Sequence, residues 1–328
     1  MAATRILLVD NGSLRPEATL ALRRLSEEVG HLLSQPVLPV SVLHSHKIDP
    51  TLLGGEPAVI FEQAVQAAKQ DGIEELIVLP LFIGHSLALT EYLPKVFAEA
   101  GAGKMQLRIR EPLFDPGDLA ELPGMLIDNL HSTGWTKGSG TVFLCDHGSP
   151  IPKVTMCRNT LAAVVRKELG LKADELIACS MERRGGPEYA FNEPLLADAL
   201  KQAKGDVVIL MLFLLPGRHA GPDGDVATIA KEHAPAGVLC KLSPLLGTHP
   251  HLPALLEQRY RFGQRVQTAK LVVIAALLLS FALTIVLKSH LPPSLQNRFG
   301  FLLVQVGVIA GVVALAFRYL RSKYRNKS

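Results

Sequence analysis

One motif is written twice in this chain, and its repetition limits the possible folds more than any other feature. Residues 5–16 read RILLVDNGSLRP and residues 141–152 read TVFLCDHGSPIP. In each copy an apolar strand runs into Asp, then Asn or His, then Gly-Ser and a Pro-containing helix start. A second echo pairs IVLPLF (77–82) with VILMLF (208–213), and a third pairs EPLFDPGDLAELPGML (111–126) with LSPLLGTHPHLPALLE (242–257). Short apolar runs alternate with helical patterns in both halves, the signature of parallel sheets covered by helices. Strands are expected at 5–9, 37–43, 75–82 and 106–110, and again at 141–145, 175–180, 206–213 and 238–242. Helices are expected at 16–33, 56–70, 89–100 and 118–130, then at 153–169, 188–204, 223–234 and 252–262. The fold class is therefore α/β, with two tandem parallel-sheet lobes, 1–130 and 141–258. Between them the Gly- and Ser-containing stretch 131–140 (HSTGWTKGSG) reads as a linker.

The two copies differ in chemistry. After its first strand the second copy carries His147, and six residues beyond Phe213 it carries His219. The first copy has Asn11 and Ala88 at the corresponding places. Ligands of open parallel sheets bind outside the carboxyl ends of the strands, so both histidines should project into one cleft. Gly148 allows a sharp turn there, and Ser149 is placed to cap the next helix. DHGSP lacks the G-x-S-x-G elbow of a hydrolase, so Ser149 is not expected to be a nucleophile. Asp223 and Asp225 are expected to cap the helix that follows the His219 loop, or else to shape that loop. His44 and His46 read as an exposed loop pair, His85 is given no catalytic role but, with Asn11 and Gly84, is a candidate substrate contact, and His249 and His251 mark the start of a helix.

The end of the chain is different in kind. Mean hydropathy is +0.25, and the apolar excess sits in two charge-free runs, 271–287 and 299–317. A bilayer core of ~30 Å needs ~17–25 apolar helical residues, so the sequence predicts a membrane hairpin turning at Pro292 and Pro293. Arg259, Arg261, Arg265 and Lys270 precede it, and Arg318, Arg321, Lys323, Arg325 and Lys327 follow it. By the positive-inside rule, both ends and both lobes are expected on the cytoplasmic side of a multi-pass membrane protein. Gly307 and Gly311 give a small-residue face for helix packing. Of 34 Lys and Arg, 11 lie from residue 259 onward with no Asp or Glu, leaving 23 basic against 30 acidic groups before it. The basic charge thus belongs to the anchor and gives no reason to expect a nucleic-acid partner. A strand pattern begins directly after MAAT, so no export signal is expected. Cys145, Cys157, Cys179 and Cys240 form no CxxC pair and read as reduced thiols.

D146-H147-G148-S149 and the run L212-F213-L214-L215-P216-G217-R218-H219 resemble the motifs of the sirohydrochlorin chelatase family. That family includes the anaerobic-type cobaltochelatases and, more distantly, ferrochelatase, the class II tetrapyrrole chelatases. Residues 4–258 resemble two tandem copies of one chelatase domain, of which only the second keeps the motif histidines. SMERRGGPEYAFNEPLLADAL (180–200) is a third family-like segment, whereas the hairpin at 259–328 is outside the usual pattern. The resemblance implies insertion of a divalent metal, Co²⁺ or Fe²⁺ with Ni²⁺ as a third candidate, into sirohydrochlorin or a related macrocycle, with release of two protons. His147 and His219 would bind the metal and accept protons, with Glu182 assisting as acceptor or third ligand. A neutral imidazole with a pKa near ~6.5 suits either task. Arg183, Arg184 and Arg218, with Ser149, would meet the carboxylate-bearing macrocycle. No organic cofactor is implied, and neighbouring tetrapyrrole-pathway enzymes are conceivable partners. Two other readings stay open: a carrier of metal or tetrapyrrole that turns nothing over, and a membrane scaffold with a degenerate chelatase fold.

Overall fold

The computed structural model describes residues 3–114, 121–290 and Gly311. Its elements are β1 (Thr4–Asp10), α1 (Pro16–Leu33), β2 (Val37–Ser41), α2 (Phe61–Gln70), β3 (Glu75–Pro80), α3 (Leu93–Glu99), β4 (Gln106–Ile109) and α4 (Glu121–Ser132), followed by β5 (Gly140–Asp146), α5 (Pro152–Leu169), β6 (Leu176–Ser180), α6 (Leu196–Leu200), β7 (Asp206–Met211), α7 (Asp225–His233), β8 (Cys240–Leu242) and α8 (Leu252–His290). The two sheets have the same order, β2-β1-β3-β4 and β6-β5-β7-β8, with every pairing parallel. Parallel strands are covered on both faces, which is why they read as unbroken apolar runs. Ile6–Val9, Leu76–Leu79 and Val142–Cys145 are all buried.

The helix boundaries follow local chemistry. Pro16 and Pro152 open α1 and α5 at the position where a missing N–H costs nothing. Ser34 and Gly170 close them in the left-handed conformation, at φ 53° and 62°. The expected helix at 89–100 begins instead as one π-helical turn, Ala88–Tyr92, before α3. The expected helix at 188–204 is a 3₁₀ segment, Pro187–Asn192, followed by the short α6. Pro194 between the two halves of that run has no N–H to continue a helix.

The boundary between the lobes differs from the one the repeat suggests. Residues Met1–Arg259 form one compact unit. In it α4, the last helix of the first repeat, packs on α5 and β7 of the second lobe. Asn129 Nδ2 on α4 donates to the Pro244 carbonyl at 3.2 Å, and Asp128 lies 3.5 Å from buried His249. In exchange, Arg259 Nη2 donates to the Leu113 carbonyl of the first lobe at 2.8 Å. The 131–140 stretch is accordingly no loose tether. Trp135 is buried within it, and Lys241 Nζ donates to the Thr133 carbonyl at 3.0 Å.

Tyr260–Ser328 form the second unit, whose described part continues α8 to His290. Leu271, Val272, Ile274, Leu277, Leu278 and Phe281 on it are exposed. Among the described residues no helix is long and apolar enough to cross a membrane. Side chains beyond Ala282 are not described, and the second run, 299–317, falls outside the described residues apart from Gly311. The expected spanning hairpin therefore has no support in the described part of the chain.

Candidate functional site

In each sheet the chain leaves the central strand, β1 or β5, toward one neighbour and returns on the other side. The loops after the two adjacent strands then diverge, and a crevice opens at that switch point. In the second lobe the strands are β5 and β7, and the loops carry His147 and His219. Their rings meet edge-on, with centroids 4.6 Å apart and planes at 67°.

Each imidazole is held by its Nδ1. His147 Nδ1 lies 3.1 Å from the Gly148 carbonyl, which can only accept, so this nitrogen carries the hydrogen. His219 Nδ1 lies 2.7 Å from Asp225 Oδ2, the same relation with a carboxylate. An acceptor at Nδ1 fixes the tautomer in which Nε2 offers its lone pair, as the hydrogen-bond partners of metal-binding histidines do. His147 Nε2 is 3.3 Å from Glu182 Oε1, a spacing that a proton or a metal ion would bridge. Glu182 comes from the loop after β6, so three neighbouring strands supply the three groups. Among the described residues no set of three or more His, Cys, Asp or Glu side chains is arranged to hold a metal ion. The pair of imidazoles is an open, incomplete coordination set.

The His147 loop rests on a buried polar network. Asp146 Oδ1 accepts from Ser180 Oγ at 2.6 Å and from the Gly148 N–H at 3.1 Å, and lies 3.4 Å from Arg158 Nη1. The same guanidinium donates to Ser180 Oγ and to the Asn192 carbonyl. Asn192 Oδ1 accepts from the Ser149 N–H at 2.9 Å and from Thr155 Oγ1 at 3.0 Å, while its Nδ2 donates back to the Ser149 carbonyl. Burial pushes the Asp146 carboxyl up, and the Arg158 charge partly opposes it. Gly148 sits at φ +94°, and a Cβ there would lie 2.0 Å from the Glu182 carbonyl oxygen. Only glycine lets these two loops touch.

The first lobe keeps this frame and loses its chemistry. Asp10 aligns with Ser41 in the sheet as Asp146 does with Ser180, and Gly12 at φ +88° approaches the Leu43 carbonyl as Gly148 approaches that of Glu182. At the places of His147, Arg158 and Glu182 it has Asn11, Leu22 and Leu43. Ala88, expected opposite His219, starts the π-helical turn instead of ending a Gly-rich loop.

A cleft of about 640 Å³ is lined by both lobes, a volume typical of the ~300–1,000 Å³ of small-molecule sites. Asp10, Asn11, Ser13 and Arg15 face it from the first lobe, and His147, Arg218, His219, Asp223 and Asp225 from the second. The expected cationic rim is only partly there. Arg218 lines the cleft, but Arg183 is tied to Glu193 at 2.9 Å and to the Gly186 carbonyl, and Arg184 lies over the Tyr189 ring. Neither lines the cleft, because their own loop offers them acceptors. Arg15 does, and the sequence reading passed over it. Ser149 Oγ accepts from the Ile151 N–H at 3.1 Å, a turn at the start of α5, and does not line the cleft. Asp225 is not a cap: Gly224 occupies that position, and Asp225 spends its carboxylate on His219. His85 pairs with Glu111 at 3.0 Å, and His249, buried, has its pKa lowered by that burial.

Fold and site together give two parallel-sheet lobes of the kind seen in solved sirohydrochlorin chelatases, with the facing imidazole pair on the second lobe. Residues 141–262 match the CbiX family, so the likeness to sirohydrochlorin chelatases read from the two His motifs is shown on the second lobe. SirB from Bacillus subtilis, solved with Fe³⁺, superposes with a TM-score of 0.58 at 19% identity, covering 80% of this chain and 96% of that one. SirB from the subspecies spizizenii, in complex with cobalt, gives 0.56 at 18% identity over 80% and 95%. CbiX, described as the terminal enzyme of siroheme biosynthesis in denitrifying bacteria, gives 0.54 at 18% over 79% and 97%. At these identities the three establish a shared fold. Comparison with curated protein sequences gives no match.

Proposed function

We propose that the chain is a tetrapyrrole chelatase that inserts a divalent metal, Co²⁺ or Fe²⁺, into sirohydrochlorin or a related macrocycle. The observation that carries this reading is the facing pair His147 and His219, each with Nδ1 committed to an acceptor, so that Nε2 is the atom left for a metal ion. Metallation must strip water from the ion and remove two protons from the macrocycle. Two neutral nitrogen ligands hold such an ion while leaving positions for incoming pyrrole nitrogens. Glu182, 3.3 Å from His147, takes up protons or completes the coordination transiently. Arg218 and Arg15 pair with the carboxylate arms of the macrocycle. The CbiX match and the cobalt- and iron-bound SirB structures support both the substrate class and the choice of metals.

The same proposal places the lobes at the cytoplasmic face of a membrane, tethered by a hairpin beyond residue 270. Two charge-free runs with basic borders in the sequence support it. Partition of the full-length protein with membranes, released by detergent and not by high salt or carbonate, is the expected result.

The activity is tested by following macrocycle absorbance with sirohydrochlorin and Co²⁺ or Fe²⁺, with and without the full-length protein. Acceleration over the spontaneous rate supports the chelatase. Tight binding of macrocycle with no acceleration would replace it with a carrier, and neither rate nor binding would leave a scaffold.

A further inference from the structure

The lobe without the motif histidines retains one carboxylate at the cleft, among the described residues. Asp10 ends β1, lines the cleft shared with His147 and His219, and is only 8% exposed. Its Oδ1 is buried without a hydrogen-bond partner. The equivalent carboxylate of the other lobe, Asp146, faces the Arg158 guanidinium, but the matching position on α1 is Leu22, itself buried. Deleting that cation while keeping the carboxylate leaves a buried acid without a countercharge, an arrangement that disfavours its ionised form.

We propose that Asp10 is a proton acceptor for macrocycle metallation, supplied by the first lobe to a reaction whose metal is held by the second. This rests on the chelatase reading. One pyrrole N–H bond breaks, its proton goes to an Asp10 carboxylate oxygen, and the nitrogen lone pair goes to the metal. The second pyrrole proton leaves to the His147–Glu182 side. The balance is one metal ion in and two protons out, with no change in oxidation state. Such a carboxyl must be poised near neutrality to take a proton and then give it back to water. Burial raises the Asp10 carboxyl to about 6, with Ser41 and the Gly12 N–H opposing it. The charged and titratable groups around it in the cleft are Arg15, His147, Arg218, His219, Asp223 and Asp225. Ser41 of β2 and Leu81 after β3 are its uncharged neighbours.

The test is the pH dependence of single-turnover Co²⁺ insertion by the full-length protein and by Asp10→Asn, with sirohydrochlorin affinity measured in parallel. Asparagine keeps the shape and cannot accept the proton. The expected result is a wild-type rate that falls as pH drops through about 6. The variant should be at least ~10-fold slower at neutral pH, with the Asp10 part of that acidic limb lost, the part owed to imidazole protonation kept, and macrocycle affinity within about twofold. Unchanged affinity shows that the variant is folded, and a purely structural role would leave the pH profile in place. A variant whose rate and profile match the wild type overturns the proposal and leaves the chelatase standing. A wild type that inserts no metal at any pH overturns the chelatase reading and this proposal with it.

Discussion

Replacing Arg158 with leucine reproduces in the second lobe what the first lobe already has. Arg158 is fully buried and lies against Asp146, Ser180 and Asn192, whereas the first lobe places Leu22 beside Asp10. The first lobe therefore shows what a carboxylate does in this frame without the guanidinium. Asp10 rises from 3.8 to about 6, and at ~1.4 kcal/mol per unit that shift costs about 3 kcal/mol of folding free energy once the group is ionised. Removing one partner of a buried ion pair costs ~3–5 kcal/mol by experience elsewhere, so the two routes agree. The sign follows from the direction of the shift. A carboxyl raised on folding carries no penalty below its unfolded pKa, and the penalty grows as pH climbs toward the folded value. Burial already raises Asp146 in the wild type, so the loss in Arg158→Leu should be up to about 3 kcal/mol at pH 8 and about 1 kcal/mol smaller at pH 5. Trp135, the single tryptophan and buried, makes urea denaturation easy to follow by fluorescence. A loss below about 1 kcal/mol at pH 8, or one equal at both pH values, would refute the assignment of Arg158 as the countercharge that Asp146 needs.

Asp10→Asn should do the reverse, raising stability by up to about 3 kcal/mol at pH 8 with the gain gone by pH 4, as read from denaturation midpoints across that range. Gly148→Ala drives a Cβ to 2.0 Å from the Glu182 carbonyl at a left-handed φ. A loss of at least ~2 kcal/mol is expected, with weakened metal binding, and Gly12→Ala should cost a similar amount of stability for the same reason. Asp225→Asn removes the charge behind His219 and should weaken Co²⁺ binding ~10–100-fold in a spectroscopic titration, leaving the denaturation midpoint nearly unchanged.

The doubled sheet was legible because parallel strands are covered on both faces and so appear as apolar runs, and because the repeat marked both copies at once. The histidines were legible because Gly-rich strand ends are where such sheets bind ligands. Other features were hidden by the nature of the signal. An arginine on a helix is normally solvated, yet position 158 shares the buried stripe of Thr155, Leu161, Ala162 and Val165, the one clue that its charge would be enclosed. Arg183 and Arg184 looked like a ligand rim because their partners, Glu193 and the Gly186 carbonyl for Arg183 and the Tyr189 ring for Arg184, are set by the fold of their loop and not by spacing. Asp225 looked like a cap since it opens a helix, but Gly224 takes that place and frees the carboxylate for His219. The exchange of α4 onto the second lobe leaves no local trace, because an amphipathic helix does not record which sheet its apolar face covers.

The most direct test of the account is the rate of Co²⁺ insertion into sirohydrochlorin by His147→Ala and His219→Ala, with His46→Ala of the first lobe as control. His46 is exposed and does not line the cleft. The account predicts that each of the first two falls at least ~100-fold toward the spontaneous rate while the control keeps the wild-type rate. A wild-type rate in either His147→Ala or His219→Ala would contradict a metal centre built on the second lobe's imidazole pair.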